Sequence, residues 1–168
     1  VSWFQILNSF FIITLASSFS KLWEKVWNPS GPVKFALGLI FVAVGFFALS
    51  YGSLSIPQGA KTATVSMIWL ILAYFFHTLG ELCLSPVGLS YVSKLSPKKF
   101  VGLLFGFWFT ASAIANYIAG YTGAYIDKIS AMYSLSTFFI IIAALPLSAA
   151  LMLLLFNKKL VKMMHGIK

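Results

Sequence analysis

An all-α membrane protein with five transmembrane helices is the fold that the sequence predicts. Hydrophobic residues make up 60% of the 168 positions and charged residues only 9%, with a mean hydropathy of +0.94. Lipid rather than water is therefore the expected solvent. The apolar residues gather into five stretches that match a bilayer core, which takes about 20 residues of helix at about 1.5 Å each. Runs such as 138–147 do not alternate apolar with polar positions, as a barrel strand requires.

In order along the chain, the helices are expected at about residues 4–20, 35–54, 65–93, 100–126 and 132–156. The first is the most polar, with Gln5, Asn8 and Ser9 inside a short span. The connections carry breakers, as in Asn28-Pro29-Ser30-Gly31-Pro32, Ile56-Pro57-Gln58-Gly59 and Ser96-Pro97. They leave no room for a folded soluble domain, so one membrane domain is expected. The chain opens on Val1 without a signal-peptide pattern and is expected to be a piece of a longer protein.

Charge sets the orientation. All twelve basic residues are lysines, and they fall in alternate connections. Lys21, Lys25 and Lys34 lie between the first two segments, Lys94, Lys98 and Lys99 between the third and fourth, and Lys158, Lys159, Lys162 and Lys168 after the fifth. Only Lys61 and Lys128 occupy the other side. An excess of lysine marks the cytoplasmic face, which puts the C-terminus in the cytoplasm and Val1 outside. The net charge of +9 then anchors the chain at anionic headgroups. Nucleic acid is not the expected partner, because the lysines are scattered over short loops and there is no arginine.

Spacing suggests helix contacts. The fourth segment carries Gly102 and Gly106, then Ala111, Ala115, Ala119 and Gly123 in one i,i+4 row. Such a face lets a neighbouring backbone approach and is expected to pack on protein. In the third segment Pro86 removes a backbone donor and Gly88 follows two residues later. A bend or local unwinding is expected there, of the kind that transporters place beside binding sites.

Three acids are present, and Glu24 and Asp127 lie in connections beside lysines. Glu81 stands alone inside the third segment. An unpaired carboxylate in lipid is costly unless it takes up a proton, so an intramembrane acid marks function. His77, Glu81 and Ser85 fall on one helical stripe, each about 40° from the last. His77, beside Phe75 and Phe76, reads more readily as a packed side chain than as a functional one. With only Asp127 and His165 as further ligands at segment ends, no metal site is expected. Trp108, Ser112 and Asn116 form a second stripe in the fourth segment, and Trp108, far from either end, either packs between helices or walls a cavity. Asn8 needs a hydrogen-bonding partner at its depth, which another helix can supply. The lone Cys83 reads as a buried small hydrophobe.

Four runs then carry a resemblance. Gly80-Glu81-Leu82-Cys83-Leu84-Ser85-Pro86-Val87-Gly88-Leu89, with Gly102-Leu103-Leu104-Phe105-Gly106-Phe107-Trp108-Phe109 and Ala115-Asn116-Tyr117-Ile118-Ala119-Gly120, resembles the tenth and eleventh helices of the proton-coupled oligopeptide transporter family. The opening run from Trp3 to Ile12 resembles the family's eighth helix. The resemblance covers essentially the whole chain as helices eight to twelve, part of the C-terminal six-helix bundle of a major facilitator fold. It implies symport of di- and tripeptides with protons by alternating access, with the proton as coupling ion and no other cofactor. It also implies that Glu81 receives the peptide's amino group or relays a proton, that Asn8 holds the peptide's amino-terminal end, that Ser85 bonds within the same cavity and that Trp108 shapes a side-chain pocket. Ser9 stands where the family often has proline. The N-terminal helical bundle, with the Glu-x-x-Glu-Arg motif of the first helix, and the seventh helix with its acid are expected as missing partners, without which this piece does not transport.

Other classes fit less well. A related carrier for nitrate or another small solute is the near alternative, although Glu81 favours a substrate bearing an ammonium group. A membrane enzyme lacks its nucleophile constellation, and one carboxylate cannot act as general acid and general base together. A non-transporting assembly subunit would tolerate Glu81→Gln.

Overall fold

Residues 2–57 and 65–164 are described by the computed structural model, with side chains from Ile6 onward. Six helices follow one another: α1 (Ser2–Lys21), α2 (Gly31–Gly52), α3 (Ile68–Leu95), α4 (Val101–Ala124), the short α5 (Ile126–Met132) and α6 (Leu135–Met163). A π-helical turn over Leu22–Val26 prolongs α1. Five of the helical segments are long and apolar enough to cross a membrane, and no strand occurs among the described residues. Val1, Lys61, His165 and Lys168, on which parts of the charge and metal readings rest, lie outside the described residues.

The helix ends correct the expected boundaries in three places. The second helix starts at Gly31 rather than near residue 35, with Ser30 extended at its N-cap and Pro32 in its first turn. Proline breaks a helix interior but suits the first turn, whose N–H groups have no intrahelical partner. The last helix begins at Leu135, where the Ser134 hydroxyl accepts the Thr137 N–H at 3.1 Å. It then runs to Met163, about two turns beyond the expected end. Asn157, Lys158, Lys159 and Lys162 extend it past the apolar core, where lysine stems lie along lipid and their heads reach water. Finally, α3 continues through Pro86 without unwinding.

Helix α2 is the centre of the bundle, and its sequence explains why. Gly31, Gly38, Gly45 and Gly52 recur every seven residues and face α3, meeting Tyr91, Gly80 with Leu84, His77 and Trp69. A methyl group on Gly38 would lie 2.9 Å from the Gly80 carbonyl oxygen, and one on Gly80 would lie 2.8 Å from that of Gly38. The backbones thus touch at this crossing. The pairing order shows that the two helices run antiparallel, and a seven-residue period is that of left-handed helix packing.

A second seam on α2 serves α6. Ala36, Ala43 and Ser50 are buried, as are Ser136, Ala143 and Ala150 on α6. The Ser50 and Ser136 hydroxyls are 2.7 Å apart, and Ser50 also reaches the Ser136 carbonyl at 3.1 Å. Near the other end of the pair the Ser30 hydroxyl donates to Asn157 Oδ1 at 2.8 Å. These bonds make α2 and α6 antiparallel and align the alanines between them. Small residues and interhelical hydrogen bonds replace the hydrophobic drive that lipid cannot supply.

Helices α1 and α4 are held more lightly. Phe11 of α1 meets Phe75 of α3 edge-on at 5.5 Å. Helix α4 has no buried residue, and no described residue lies within 4 Å of a methyl group placed on Gly102, Gly106, Gly120 or Gly123. The small-residue row of α4 therefore faces away from every described helix. Every described lysine except Lys128 gathers at one end of the bundle, by the antiparallel order of the helices. Trp23 and Trp27 stand at that end, 6.0 Å apart, with the Lys34 ammonium 5.2 Å from the Trp23 ring.

Candidate functional site

The polar cluster lies where α1 crosses α3. Asn8 of α1 donates through Nδ2 to Glu81 Oε2 at 3.4 Å, and its Oδ1 accepts from the Thr78 hydroxyl at 2.5 Å. Thr78 is fully buried and also lies 2.8 Å from the Tyr74 carbonyl of its own helix. Glu81, one turn on, is exposed although its neighbours Gly80 and Leu82 are buried. The Asn8 amide is the polar partner that the described residues give this carboxylate. One carboxylate oxygen is thus steadied from α1 while the group stays open on the uncovered side of α3.

This arrangement can bind a cation or a proton. An ionised carboxylate accepts hydrogen bonds at both oxygens, and the Asn8 bond uses one such position. The others suit an ammonium group, for which a charge-assisted bond is about twice as strong as a neutral one. Among the described residues no group of three or more metal-ligating side chains gathers.

The other sequence-predicted residues are placed differently. Ser85 is half-buried one turn beyond Glu81 and has no hydrogen-bond partner among the described residues. His77 does not share the open side with Glu81. Its ring packs on α2, 4.7 Å from the Phe46 ring, and its buried Nε2 has no hydrogen-bond partner among the described residues. Trp108 lies over Gly88, where a methyl group would come within 2.8 Å of Cζ2 and 2.9 Å of Cζ3. It joins α4 to α3 and also walls a cleft of about 480 Å³ with Phe35, Tyr91, Leu104 and Phe107. Gly88 is seven residues from Glu81, or about 10 Å along the helix, so this cleft is separate from the carboxylate. The Ser112 hydroxyl turns back to the Trp108 carbonyl at 3.1 Å.

Thr78 is the residue that sequence reasoning missed. Its signal was its position three residues before Glu81, on the neighbouring row of the helix.

A sequence model of the POT family, designated PTR2, matches residues 1–141. The chain belongs to the POT family. This POT-family chain is 42% identical over 130 residues to the Uncharacterized transporter YclF of Bacillus subtilis, covering 76% of this chain and 26% of that protein. It is 38% identical over 158 residues to the Peptide transporter YePEPT of Yersinia enterocolitica, covering 91% and 30%. The crystal structure of peptide transporter POT in complex with sulfate matches with a TM-score of 0.75 at 37% identity, covering 94% of this chain and 31% of that one. A POT family transporter in complex with thioalcohol conjugated peptide matches at 28% identity with a TM-score of 0.75, covering 91% and 30%. This POT-family chain is thus a multi-pass membrane protein of the major facilitator fold, and it spans about a quarter to a third of the length of these relatives.

Proposed function

We propose that this chain forms helices eight to twelve of a proton-coupled carrier of di- and tripeptides. The observation that carries the reading is the Glu81 carboxylate, steadied by Asn8 and open on the side of α3 that no described helix covers. Relatives named as peptide transporters support it. So does the chemistry, since one carboxylate holds either a proton or a peptide ammonium, and the exchange of one for the other links the two movements. Asn8 holds the amino-terminal end of the peptide beside Glu81, Ser85 contributes a hydroxyl one turn on, and Trp108 shapes the wall for a side chain. A bare anion such as nitrate would be repelled by the ionised carboxylate, so a nitrate carrier is the weaker reading. The C-terminus lies in the cytoplasm, on the side of the gathered lysines.

The test uses the full-length protein and peptide binding. Glu81→Gln keeps the shape and loses the charge. A charge-assisted bond of about 1.5–3 kcal/mol corresponds to an affinity loss of about 10- to 100-fold. An N-acetylated dipeptide has no ammonium group and should bind wild type and Glu81→Gln equally weakly. Equal losses for free and acetylated peptides would remove Glu81 from the binding site.

A further inference from the structure

We infer that Thr78 is a positioning residue which sets the direction of the Asn8 amide, and that protonation of Glu81 reverses that direction. The inference rests on the preceding reading, in which Glu81 exchanges a proton. Three groups are linked in a row: the Thr78 hydroxyl 2.5 Å from Asn8 Oδ1, and Asn8 Nδ2 3.4 Å from Glu81 Oε2. The row ends on the Tyr74 carbonyl, 2.8 Å from the same hydroxyl.

Donor and acceptor counting fixes the direction. An ionised carboxylate only accepts, a carbonyl only accepts, and a hydroxyl donates once while it can also accept. With Glu81 ionised, the Nδ2 edge of Asn8 must face it, which leaves Oδ1 toward Thr78 and draws the single hydroxyl proton to Oδ1. With Glu81 protonated on Oε2, the oxygen that faces Asn8, the reverse order closes equally well. The carboxylic acid donates to Oδ1, Nδ2 donates to the Thr78 oxygen, and the Thr78 proton goes to the Tyr74 carbonyl. With Glu81 ionised, the reversed amide would set Oδ1 against a carboxylate oxygen, two acceptors face to face; with the acid proton on Oε2, the unreversed amide would set that proton against Nδ2, two donors face to face.

Thr78 is what makes both orders possible. It has no exposed surface, so water cannot stand in for its hydroxyl, and an unpaired buried group is costly. Titratable groups on the elements packed against α3 do not compete. Among the described residues α1 carries Lys21, α2 carries Lys34 and Tyr51, and α4 carries Tyr117 and Tyr121, none of them bonded to Glu81. On α3 itself, His77 is turned to α2. The rotation of one amide thus passes the protonation state of Glu81 from α3 to α1.

The test uses the full-length transporter, with alanyl-alanine as the probe. Thr78→Val keeps the shape and should weaken binding about 3- to 10-fold, the loss expected for one buried hydrogen bond. Thr78→Ser should stay within about twofold of wild type. In an Asn8→Ala background Thr78→Val should have no further effect. Independently of folding in the variants, the wild-type infrared difference spectrum on acidification should contain an asparagine side-chain carbonyl band. That band should vanish in Asn8→Ala and in Glu81→Gln. An equal loss from Thr78→Val with and without Asn8, or a wild-type asparagine band unmoved by acidification, would overturn the inference. Failure of wild type to bind any dipeptide would instead defeat the transport reading, while the infrared measurement would still report on the amide.

Discussion

The imidazole of His77 on α3 fills the space that Gly45 leaves on α2, so that a methyl group there would lie 2.6 Å from Cδ2. Neither atom can move far, since the Phe46 ring flanks the imidazole. Gly45→Val should therefore force the two helices apart at a cost of about 1–3 kcal/mol, the usual range for overpacking. The loss should appear as a lower unfolding midpoint in detergent. Adding His77→Ala should restore much of it, because the second change empties the space that the first one fills.

The buried serine pair offers a separate measurement. Ser50→Ala alone leaves the Ser136 hydroxyl without its 2.7 Å partner and should cost about 1–3 kcal/mol. The double change Ser50→Ala with Ser136→Ala removes both polar groups together and should cost less than either single change. Equilibrium unfolding of the three variants gives the coupling directly. A double variant as damaged as the sum of the singles would mean that the hydroxyls do not act as a pair.

At the junction of α3 and α4, a bulky residue at position 88 should displace Trp108. Gly88→Leu, in a variant where Trp108 is the single tryptophan, should shift its fluorescence and weaken the α3–α4 contact. Affinity for a glycine dipeptide should change little, since the clash lies about 10 Å along α3 from Glu81.

Topology can be read chemically because the one native cysteine, Cys83, is buried and gives little background. A cysteine at Ser55 should react with an impermeant reagent added outside sealed cells, whereas one at Lys98 should not. Reaction at position 98 would reverse the orientation that the lysines imply.

The five spans were legible because a bilayer dictates their length, and Glu81 and Asn8 stood out as polar groups with no water to satisfy them. Helix ends were less legible. Gly31-Pro32 reads as a breaker within a run, yet serves as the first turn of α2, and α6 outlasts its apolar stretch because lysine tolerates the headgroup region. The glycines of α2 repeat at seven, a spacing that looks unremarkable beside the i,i+4 row of α4. That conspicuous row meets no described helix, while the quieter one carries the α2–α3 interface. Thr78 was hidden because a threonine inside a helix ordinarily bonds back to its own turn, and only the crossing of α1 gives it a second role.

A seven-residue repeat is self-similar, and this bears on how the bundle assembles. Sliding α2 along α3 by one repeat, about 10 Å, would again set glycines of α2 against the same track, so the glycine seam alone tolerates a wrong alignment. The polar pairs on the opposite flank set a second alignment, that of α2 against α6. Ser50 with Ser136 and Ser30 with Asn157 sit near the two ends of α2 like the marks of a vernier, and only one alignment closes both. The two neighbours of α2 are thus seated by different means, α3 by close backbone approach and α6 by paired polar groups.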